Sequence, residues 1–430
     1  MERTDKRYLF LIDDGWRYEK LDLLLYLRDK LTIDVATHDE LTEQTLKKDM
    51  PVVRIPRFPL REGLRYCLTY FFAKELDTHV YRVISSQRVR RYSPLLRFAA
   101  ALRPFAGKIG LRRYDWIDAL QKMYRRSHRY DALLSKYDAL IYSPVSIQDK
   151  RIVFEAQAMG METICWVFSW DNPFKDTEFI RTADRYLVWN QENIQDLARW
   201  HHIPESRCQI VGPAQFDYLH KVRPPIAPPQ KPYILFACTM GPAHYVRQEI
   251  KLIHLVREQM DRLCPDVELH VRPYPFGVTE TSYEELTECK GIHMLSYGHQ
   301  FVDGKVLIDE RDLDGKFLQM QNALAMITLG STIALEAALT DTSVLQIIFA
   351  LTNDKPNLAE IWKHEHLDYV LKFDLPNIVR DEEDLETALS ELAAGNKELF
   401  AEYSRQLRSF ADPLGLDNYR EVFYKVLNEG

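Results

Sequence analysis

Short apolar runs alternate with amphipathic segments along most of the chain. Residues 8–12, 31–36 and 139–143 are runs of strand length, and residues 16–30 carry leucines at a spacing that places them on or near one face of a helix. Runs with so little charge indicate strands that are buried on both faces. Strand alternating with helix at this spacing predicts a parallel α/β sheet.

The second half of the chain repeats this pattern after a proline-rich break. Residues 223–230 hold four prolines, which excludes a helix or a central strand and predicts a stiff linker. Because 430 residues exceed one ordinary core, we expect two domains. The predicted domains are residues 1–222 and 231–412, followed by a final helical segment, 413–430, that packs back on the first domain.

Residues 322–349 form the most informative unit of the second domain. They predict a buried strand, a turn at Gly330-Ser331-Thr332, a helix and another strand. In such βαβ units an anionic ligand lies at the helix N-terminus, beyond the carboxyl end of the strand. Ser331 and Thr332 add hydroxyl donors, Gly330 permits close approach, and Glu336 is placed to accept hydrogen bonds from a ribose. The alternative is that Ser331 caps the helix and Glu336 is solvated.

The composition is that of a soluble globular protein, with 46% hydrophobic and 28% charged residues. No apolar run approaches the ~18 residues of a membrane helix. The first residues lead straight into a strand, so no signal peptide is expected. The six cysteines contain no C-x-x-C pair, which indicates buried thiols in a reducing cytoplasm rather than a metal site. Gly15 follows the first strand, but no G-x-G-x-x-G fingerprint of dinucleotide binding accompanies it.

Positive charge is concentrated in residues 82–129. This basic segment holds 11 Arg and 2 Lys against Asp115 and Asp118, which gives it a net charge of +11. Because the whole chain carries a net charge of −7, the remaining residues carry −18. Its arginines interleave with Leu and Phe as in an interfacial helix, and we hypothesise that it docks on the inner face of an anionic membrane. Two alternatives stay open: the arginines hold an anionic acceptor, or they pair with the acidic remainder. Nucleic acid is not an expected partner, because no recognised binding motif accompanies the charge.

Motifs in both halves resemble the GT-B glycosyltransferases, in which two Rossmann-like, doubly wound domains face a cleft. D-R-Y-L-V-W-N at 184–190, a helix, and I-P-E-S-R-C-Q-I-V-G-P at 203–213 resemble the closing part of an N-terminal GT-B domain. G-S-T-I-A-L-E-A-A-L followed by V-L-Q-I resembles the donor-binding unit. The chain is similar to bacterial surface-polysaccharide glycosyltransferases of lipopolysaccharide and capsule synthesis. It is more distantly similar to the capsule Kdo transferases and the teichoic acid glycerophosphate polymerases. It departs from their pattern at His270-Val-Arg-Pro273, where an H-P dipeptide is expected.

The resemblance implies that the second domain binds a nucleotide-sugar donor. The diphosphate would lie against Ser331 and Thr332, with Arg272 as a fixed cation that offers paired donors. The alternative for Arg272 is a surface ion pair. The residues from Thr239 to Gly241 would close around the phosphate or the sugar. The predicted donor-binding residues are Arg272, Thr239, Met240, Gly241, Gly330, Ser331, Thr332 and Glu336.

The resemblance also implies an inverting or retaining transfer without a bound metal and without a cofactor. Asp312-Leu-Asp314 has the letters of a D-x-D metal motif but falls in a predicted helix. An inverting transfer needs a general base on the first domain, and Asp171 and Asp14 each follow a buried strand. The alternatives are that Asp171 caps a turn with Asn172 and that Asp14 caps the first helix. His38, after the second strand, is a third candidate base.

The predicted function is transfer of a sugar from a nucleotide-activated donor to a glycan or lipid-linked glycan acceptor in bacterial surface-polysaccharide synthesis. The alternatives are a nucleotide-sugar epimerase of the same fold, a polyol-phosphate transferase of the CDP-glycerol type, and a nucleotide-binding protein without catalysis. The predicted location is the cytoplasm, with peripheral attachment to the membrane through the basic segment. An epimerase acting on soluble substrates has little use for such a surface.

Overall fold

The computed structural model describes eleven stretches of the chain and a few isolated positions between them. The stretches are residues 6–15, 17–56, 128–143, 151–175, 182–221, 229–239, 243–275, 283–295, 308–352, 357–416 and 418–429. The contacts divide the chain into two units. The first unit joins Met1–Gln215 to Asn418–Gly430, and the second unit is Phe216–Asp417. The first unit therefore ends before residue 222, where the sequence predicted its boundary, and the predicted linker lies largely outside the described residues.

The first unit contains a sheet of seven described strands, all parallel, in the order β3-β2-β1-β4-β5-β6-β7. This order is that of a doubly wound fold. The strands are β1 (Arg7–Leu11), β2 (Thr32–Thr37), β3 (Val52–Arg54), β4 (Ala139–Tyr142), β5 (Glu162–Trp166), β6 (Arg185–Val188) and β7 (Cys208–Ile210). The helices are α1 (Tyr18–Arg28), α2 (Glu40–Leu46), α3 (Asp131–Leu134), α4 (Arg151–Ala158), α5 (Asn172–Lys175) and α6 (Gln191–His201).

Both faces of this sheet are covered, as the uncharged strand sequences predict. In β1, Leu9 and Leu11 enter one apolar cluster, whereas Tyr8 and Phe10 enter the cluster on the opposite face. The second cluster includes residues from the far end of the chain. They belong to the C-terminal helix, Tyr419–Glu429, whose buried residues are Tyr419, Phe423, Tyr424 and Leu427.

The second unit repeats the same strand order in a parallel sheet of six described strands, β10-β9-β8-β13-β14-β15. The strands of the unit are β8 (Tyr233–Ala237), β9 (Glu268–Arg272), β10 (Ile292–Met294), the antiparallel pair β11 (Phe301–Val302) and β12 (Lys305–Val306), β13 (Ala325–Thr328), β14 (Val344–Ile347) and β15 (Ile378–Val379). The helices are α7 (Ala243–Leu263), α8 (Glu310–Gln321), α9 (Ile333–Leu339), α10 (Asp368–Leu371), α11 (Glu382–Ala393) and α12 (Ala401–Ala411). Two doubly wound α/β units confirm the predicted fold class.

Polar residues at helix starts fix several of these boundaries. Asn190 accepts a hydrogen bond from the backbone N–H of Asn193 at 3.0 Å and caps α6. Asp309 and Asp312 form a reciprocal capping box at the start of α8. The stretch after residue 357 is largely helical but also contributes β15, a strand too short to give an apolar pattern. Among the described residues, no helix is both long enough and apolar enough to cross a bilayer.

Candidate functional site

Three predicted donor-binding segments lie at the carboxyl ends of adjacent strands in the second unit. Arg272 ends β9, Thr239 follows β8, and Gly330 follows β13. The strands β9, β8 and β13 are neighbours, with Ala237 paired to Arg272 and Ile327 paired to Phe236. The chain reverses its direction of winding between β8 and β13, which is where open α/β sheets bind ligands. The fold therefore brings these segments to one edge, at the expected switch point.

The turn after β13 is held by side chains from other parts of the unit. Gly330 has φ +89°, and its N–H donates to the Gln346 side-chain oxygen at 2.9 Å. The Trp362 indole donates to the Leu329 carbonyl at 3.0 Å. Within the described part of the chain, the Thr332 side chain makes no capping hydrogen bond to α9. The geometry of this turn thus depends on Gln346 and Trp362 rather than on a hydroxyl cap from Thr332.

Arg272 lies inside the second unit. It is 7% exposed, and its Nη1 donates to the Gln319 side-chain oxygen of α8 at 2.7 Å. The alternative of a surface ion pair is wrong, because the residue is buried. A guanidinium carries several N–H donors, so the bond to Gln319 uses only part of its hydrogen-bonding capacity.

Glu336 is buried, so the alternative of a solvated Glu336 is wrong. Its Oε2 lies 2.6 Å from the Lys316 Nζ and accepts a hydrogen bond from the Tyr218 hydroxyl. The Lys316 ammonium also lies 4.9 Å from the centre of the Tyr218 ring. Glu336 therefore links α9 to α8 and to the 3-10 helix Ala214–His220, and a ribose would have to share this carboxylate with both partners.

A buried carboxylate that the sequence analysis missed stands beside Thr239. Glu249 is fully buried in α7, accepts from the Thr239 backbone N–H at 2.8 Å, and accepts from the Tyr283 hydroxyl at 2.6 Å. Burial, Cys238 and Glu249 raise the pKa of Tyr283 well above its usual range, so this hydroxyl stays a donor. The signal in the sequence was a charged residue at helical spacing from Tyr245 and Ile253. The Thr239 N–H is thus engaged by Glu249.

The candidate bases of the first unit each have a lysine partner. Asp14 follows β1 and pairs with Lys20 of α1. Asp171 precedes α5, pairs with Lys175 and accepts from the Asn172 amide at 3.3 Å. In the described structure Arg17 is the N-cap residue of α1 and no side chain caps the helix there, so the alternative that Asp14 caps it is wrong. Both carboxylates lie at the carboxyl edge of the same sheet, separated by β4 in the strand order.

Lys20 is an unusual partner because its side chain is only 1% exposed. Its ammonium lies 4.2 Å from the centre of the Phe168 ring. Burial lowers the pKa of Lys20, and Asp14 opposes that shift. The pair is therefore a buried cation whose counter-ion, Asp14, is 23% exposed and faces solvent in part.

His38 is fully buried and pairs with Asp13, a residue the sequence analysis did not single out. The His38 Nδ1 lies 3.1 Å from the Asp13 Oδ2, and the His38 backbone N–H donates to the same carboxylate at 2.5 Å. The Thr37 hydroxyl donates to it at 3.1 Å. The arrangement joins the ends of β1 and β2, and it encloses the imidazole instead of presenting it to a substrate.

Several other predicted residues lie outside the described structure. For the D-x-D motif, the structure shows where both aspartates lie. Met240, Gly241 and almost all of the basic segment 82–129 are not described. The Asp312-Leu-Asp314 motif lies in α8 as predicted. Asp312 closes the capping box and Asp314 pairs with Arg223 at 2.9 Å.

Comparison with known proteins finds likeness in fold alone. No family model and no curated protein matches the chain. The S. aureus MnaA–UDP complex matches with a TM-score of 0.54 at 12% identity, over 99% of this chain and 95% of that chain. The UDP-GlcNAc 2-epimerase from Neisseria meningitidis bound to UDP-GlcNAc matches with a TM-score of 0.53 at 11% identity, over 99% and 100%. Anabaena Alr3699/HepE in complex with UDP matches with a TM-score of 0.50 at 10% identity, over 98% and 99%.

Proposed function

We propose that this protein is an enzyme that acts on a nucleotide-activated sugar, bound through its diphosphate by the second unit. The observation that carries the proposal is the meeting of Arg272, Thr239 and the Gly330 turn at the switch point of a doubly wound sheet. The similar folds of UDP-bound and UDP-GlcNAc-bound proteins, which cover nearly the whole chain, support it.

The residues proposed to contact the phosphates would form hydrogen bonds of different strength. Arg272 supplies a buried positive charge, and charge-assisted hydrogen bonds to phosphate are about twice as strong as neutral ones. Ser331 and Thr332 supply hydroxyls and backbone N–H groups at the start of α9. The Gly330 turn keeps these groups in place through its bond to Gln346.

For the reaction, we propose epimerisation ahead of sugar transfer. The 2-epimerase among the matching structures supports this choice. Inversion by proton exchange removes a proton from one face of the carbon and returns a proton to the opposite face, so this route needs a base and an acid. Asp14 and Asp171, on one edge of the first unit's sheet, are the candidates. Transfer to a glycan acceptor is the second candidate, and the charge pattern of residues 82–129 favours it.

Calorimetric titration with UDP tests the binding site. Arg272→Ala should weaken binding about ten- to a hundredfold, because it removes a charge-assisted contact worth ~1.5–3 kcal/mol. Ser331→Ala should weaken it in the same direction. Arg262→Ala is the matched control, because Arg262 is 57% exposed in the last turn of α7, at the opposite edge of the sheet. Unchanged affinity in both site variants, with the fold intact, would exclude this site.

Proton NMR with UDP-GlcNAc as the only added sugar distinguishes the two reactions. An epimerase produces a second UDP-sugar, and in heavy water it exchanges the proton at the inverted carbon for deuterium. A transferase leaves the UDP-sugar intact until a glycan or lipid-linked acceptor is added, and then releases UDP. If UDP binds at the Arg272 site but neither product forms across a panel of UDP-, CDP- and GDP-sugars, the catalytic part of the proposal fails.

A further inference from the structure

Three potential metal ligands converge at the edge of the second unit's sheet. The His270 Nε2 lies 3.1 Å from the Glu268 Oε2, and the His293 Nε2 lies 3.6 Å from the Glu268 Oε1. All three ligand atoms lie within 4.8 Å of one another. The cluster is distinct from the switch-point turn, since Glu268 is at the opposite end of β9 from Arg272.

The backbone of two strands places these side chains together. Glu268 and His270 are two residues apart in β9 and therefore share a face. His293, in the edge strand β10, pairs with His270 across the sheet and points to the same side. Leu269, Val271 and Ile292 occupy the other face, where they enter the core of the unit. The alternation of buried and less buried residues thus fixes which side the cluster occupies.

One ligand is already oriented by packing. The His270 ring stacks on the Tyr233 ring with a centroid distance of 4.1 Å and an interplanar angle of 8°. The Tyr233 hydroxyl donates to the Gln319 carbonyl at 2.8 Å, which holds the ring in turn. His293 is 51% exposed, so solvent reaches the cluster from the edge of the sheet. A half-buried cluster with one exposed ligand has an open route for an ion.

We propose that Glu268, His270 and His293 bind one divalent transition-metal ion, with Zn²⁺ as the ion that best fits two imidazoles and a carboxylate. Zn–N and Zn–O bonds of ~2.0–2.2 Å at tetrahedral angles separate neighbouring ligand atoms by roughly 3.3 Å. The His270 Nε2–Oε2 distance of 3.1 Å and the His293 Nε2–Oε1 distance of 3.6 Å lie on either side of that value, each to a different oxygen of the Glu268 carboxylate. Three protein ligands leave a fourth position for water.

The ion would tie the edge strand to its neighbour. β10 has three residues, and its described pairing is with β9 at the border of the sheet. A metal bound by Glu268 and His270 on one strand and His293 on the other adds a strong cross-link between them. Binding to the folded state alone raises stability in proportion to the logarithm of the metal concentration.

Lys231 supplies a sharper test than ligand removal. Its Nζ lies 3.4 Å from the Glu268 Oε1, and its side chain is 64% exposed. The ammonium competes with the ion for the same carboxylate oxygen and repels it. Lys231→Gln should therefore raise metal affinity by about two- to fivefold at low salt, since a surface ion pair is worth at most ~1 kcal/mol.

The experiment uses the full chain, freed of any histidine tag and treated with chelator, in titrations with Zn²⁺ and Co²⁺ near pH 7. We expect one ion per chain and a visible Co²⁺ spectrum typical of four-coordinate geometry. At a hundredfold excess over Kd, the unfolding midpoint of the second unit should rise by about 5–10 °C. His293→Ala and Glu268→Gln should each weaken binding by about a hundredfold or more, beyond the 10–100-fold loss typical of residues that only support a ligand.

His254→Ala is the control, because His254 is an exposed histidine of α7 outside the cluster. It should leave affinity, stoichiometry and the Co²⁺ spectrum unchanged. His293→Ala also guards against misfolding, since His293 is half exposed and does not stack on Tyr233. Binding that survives His293→Ala and Glu268→Gln, or that falls equally in His254→Ala, would overturn the proposal. So would the absence of one-to-one binding by wild-type chain that is folded by circular dichroism. These outcomes are independent of UDP binding at Arg272.

Discussion

Asp14 and Asp171 hold similar positions at strand ends, but their lysine partners differ in burial. The Lys20 side chain is 1% exposed, whereas the Lys175 side chain is 35% exposed. A buried ammonium that loses its counter-ion cannot be resolvated, and removing one member of a buried pair costs several kcal/mol. A partly exposed lysine turns to water instead. Substituting the two carboxylates therefore has different consequences for stability.

We predict that Asp14→Asn destabilises the first unit by about 3 kcal/mol and that Asp171→Asn destabilises it by less than about 1 kcal/mol. Urea denaturation followed by circular dichroism measures both values. The double variant Lys20→Met/Asp14→Asn should recover most of the loss, because it removes the stranded cation. Equal losses for the two single variants would contradict the assigned difference in burial.

These stabilities determine how the activity of the same variants is interpreted. The carboxylate that transfers a proton should lose ~10²–10⁴-fold in kcat when changed to Asn, with little change in donor affinity. The turnover of Asp14→Asn must be compared with that of the double variant. The double variant also lacks the Asp14 carboxylate, but it has no buried lysine left without a counter-ion. A loss of kcat that persists in the double variant belongs to the chemistry.

Residue-level predictions from the sequence succeeded where the signal was local. Asp14 and Asp171 stand after strands that the apolar pattern identified, and the structure places them at one edge of the sheet. Their partners were not predicted. Lys20 falls inside an amphipathic helix, where a lysine normally faces solvent, and Glu249 accepts from the Tyr283 hydroxyl, which lies 34 residues further along the chain. Burial of a charge depends on tertiary contacts that no single window of sequence contains.

At the scale of elements, the C-terminal helix fits against a glycine. Gly212 has φ +72°, and a Cβ added there would lie 1.9 Å from the Tyr419 Cδ1. The helix is also tied to β1, because the Tyr8 hydroxyl donates to the Leu427 carbonyl at 2.6 Å. Phe423 packs edge-on against Trp166 at 5.4 Å between centroids. The close approach at Gly212 depends on the absence of a side chain.

We predict that Gly212→Ala destabilises the first unit by about 2–5 kcal/mol, from left-handed backbone strain together with overpacking against Tyr419. Gly160→Ala is the matched control, because Gly160 has φ +76° but nothing within 4 Å of the added Cβ. It should lose only the backbone part, about 1–2 kcal/mol. Thermal unfolding of the two variants compares them directly, and equal losses would show that Tyr419 moves aside freely.

The same helix carries a pH-sensitive contact to α1. The Glu421 Oε2 lies 2.6 Å from the Lys30 Nζ and also accepts from the Tyr26 hydroxyl. The hydrogen bond from Lys30, followed by that from Tyr26, lowers the pKa of Glu421 from its ordinary value of 4.5. A lowered carboxyl pKa means that the contact stabilises the folded state above pH 4.5 and that this stability is lost as the pH falls through the lowered pKa.

We predict that Glu421→Gln reduces the loss of stability between pH 7 and the acid range by no more than about 1 kcal/mol, as expected for a partly exposed pair. Urea midpoints at pH 7 and at successively lower pH values measure the difference. Glu429→Gln, an exposed carboxylate on the same helix, is the control and should follow the wild-type pH dependence. A Glu421→Gln curve parallel to the wild type would remove Glu421 from the acid response.

Prediction of helices, strands and their contacts was limited by the shortness of some strands and by the separation of contacting residues along the chain. The strands β1, β4 and β13 were predicted because each is an uncharged apolar run beside a helical pattern. β15 was missed because two residues carry no periodicity, and it is recognisable only through its pairing with β14. The contacts of the C-terminal helix join residues more than 400 positions apart, such as Tyr8 and Leu427. Such pairings follow from the shape of the core rather than from local sequence.

For the whole molecule, the two units differ in whether their chain is continuous. The first unit needs Asn418–Gly430 from the far end of the chain, whereas the second unit is the single segment Phe216–Asp417. Four buried side chains of the C-terminal helix contribute about 1.5–3 kcal/mol each, or roughly 6–12 kcal/mol before chain entropy is deducted. That sum is comparable with the 5–15 kcal/mol stability of a typical domain. A fragment of residues 1–215 should therefore not fold, and joining 418–430 to it should restore folding.

Because the second unit is one continuous segment, the residue at which it begins can be tested with fragments of different length. We predict that a fragment of residues 216–417 unfolds cooperatively and is more stable than residues 231–417 by at least about 3 kcal/mol. The shorter fragment loses the Tyr218 hydrogen bond to Glu336 and the Arg223 ion pair with Asp314 at 2.9 Å. It also loses the Arg223 guanidinium from above the Phe317 ring, at 3.9 Å from its centre. Without Tyr218, water would reach the buried Lys316–Glu336 pair on one side. Asp314 would lose Arg223, its cationic partner. Equal urea midpoints for the two fragments would mean that residues 216–230 are not part of the folded unit, and that 223–230 act as the linker that the proline-rich sequence predicted.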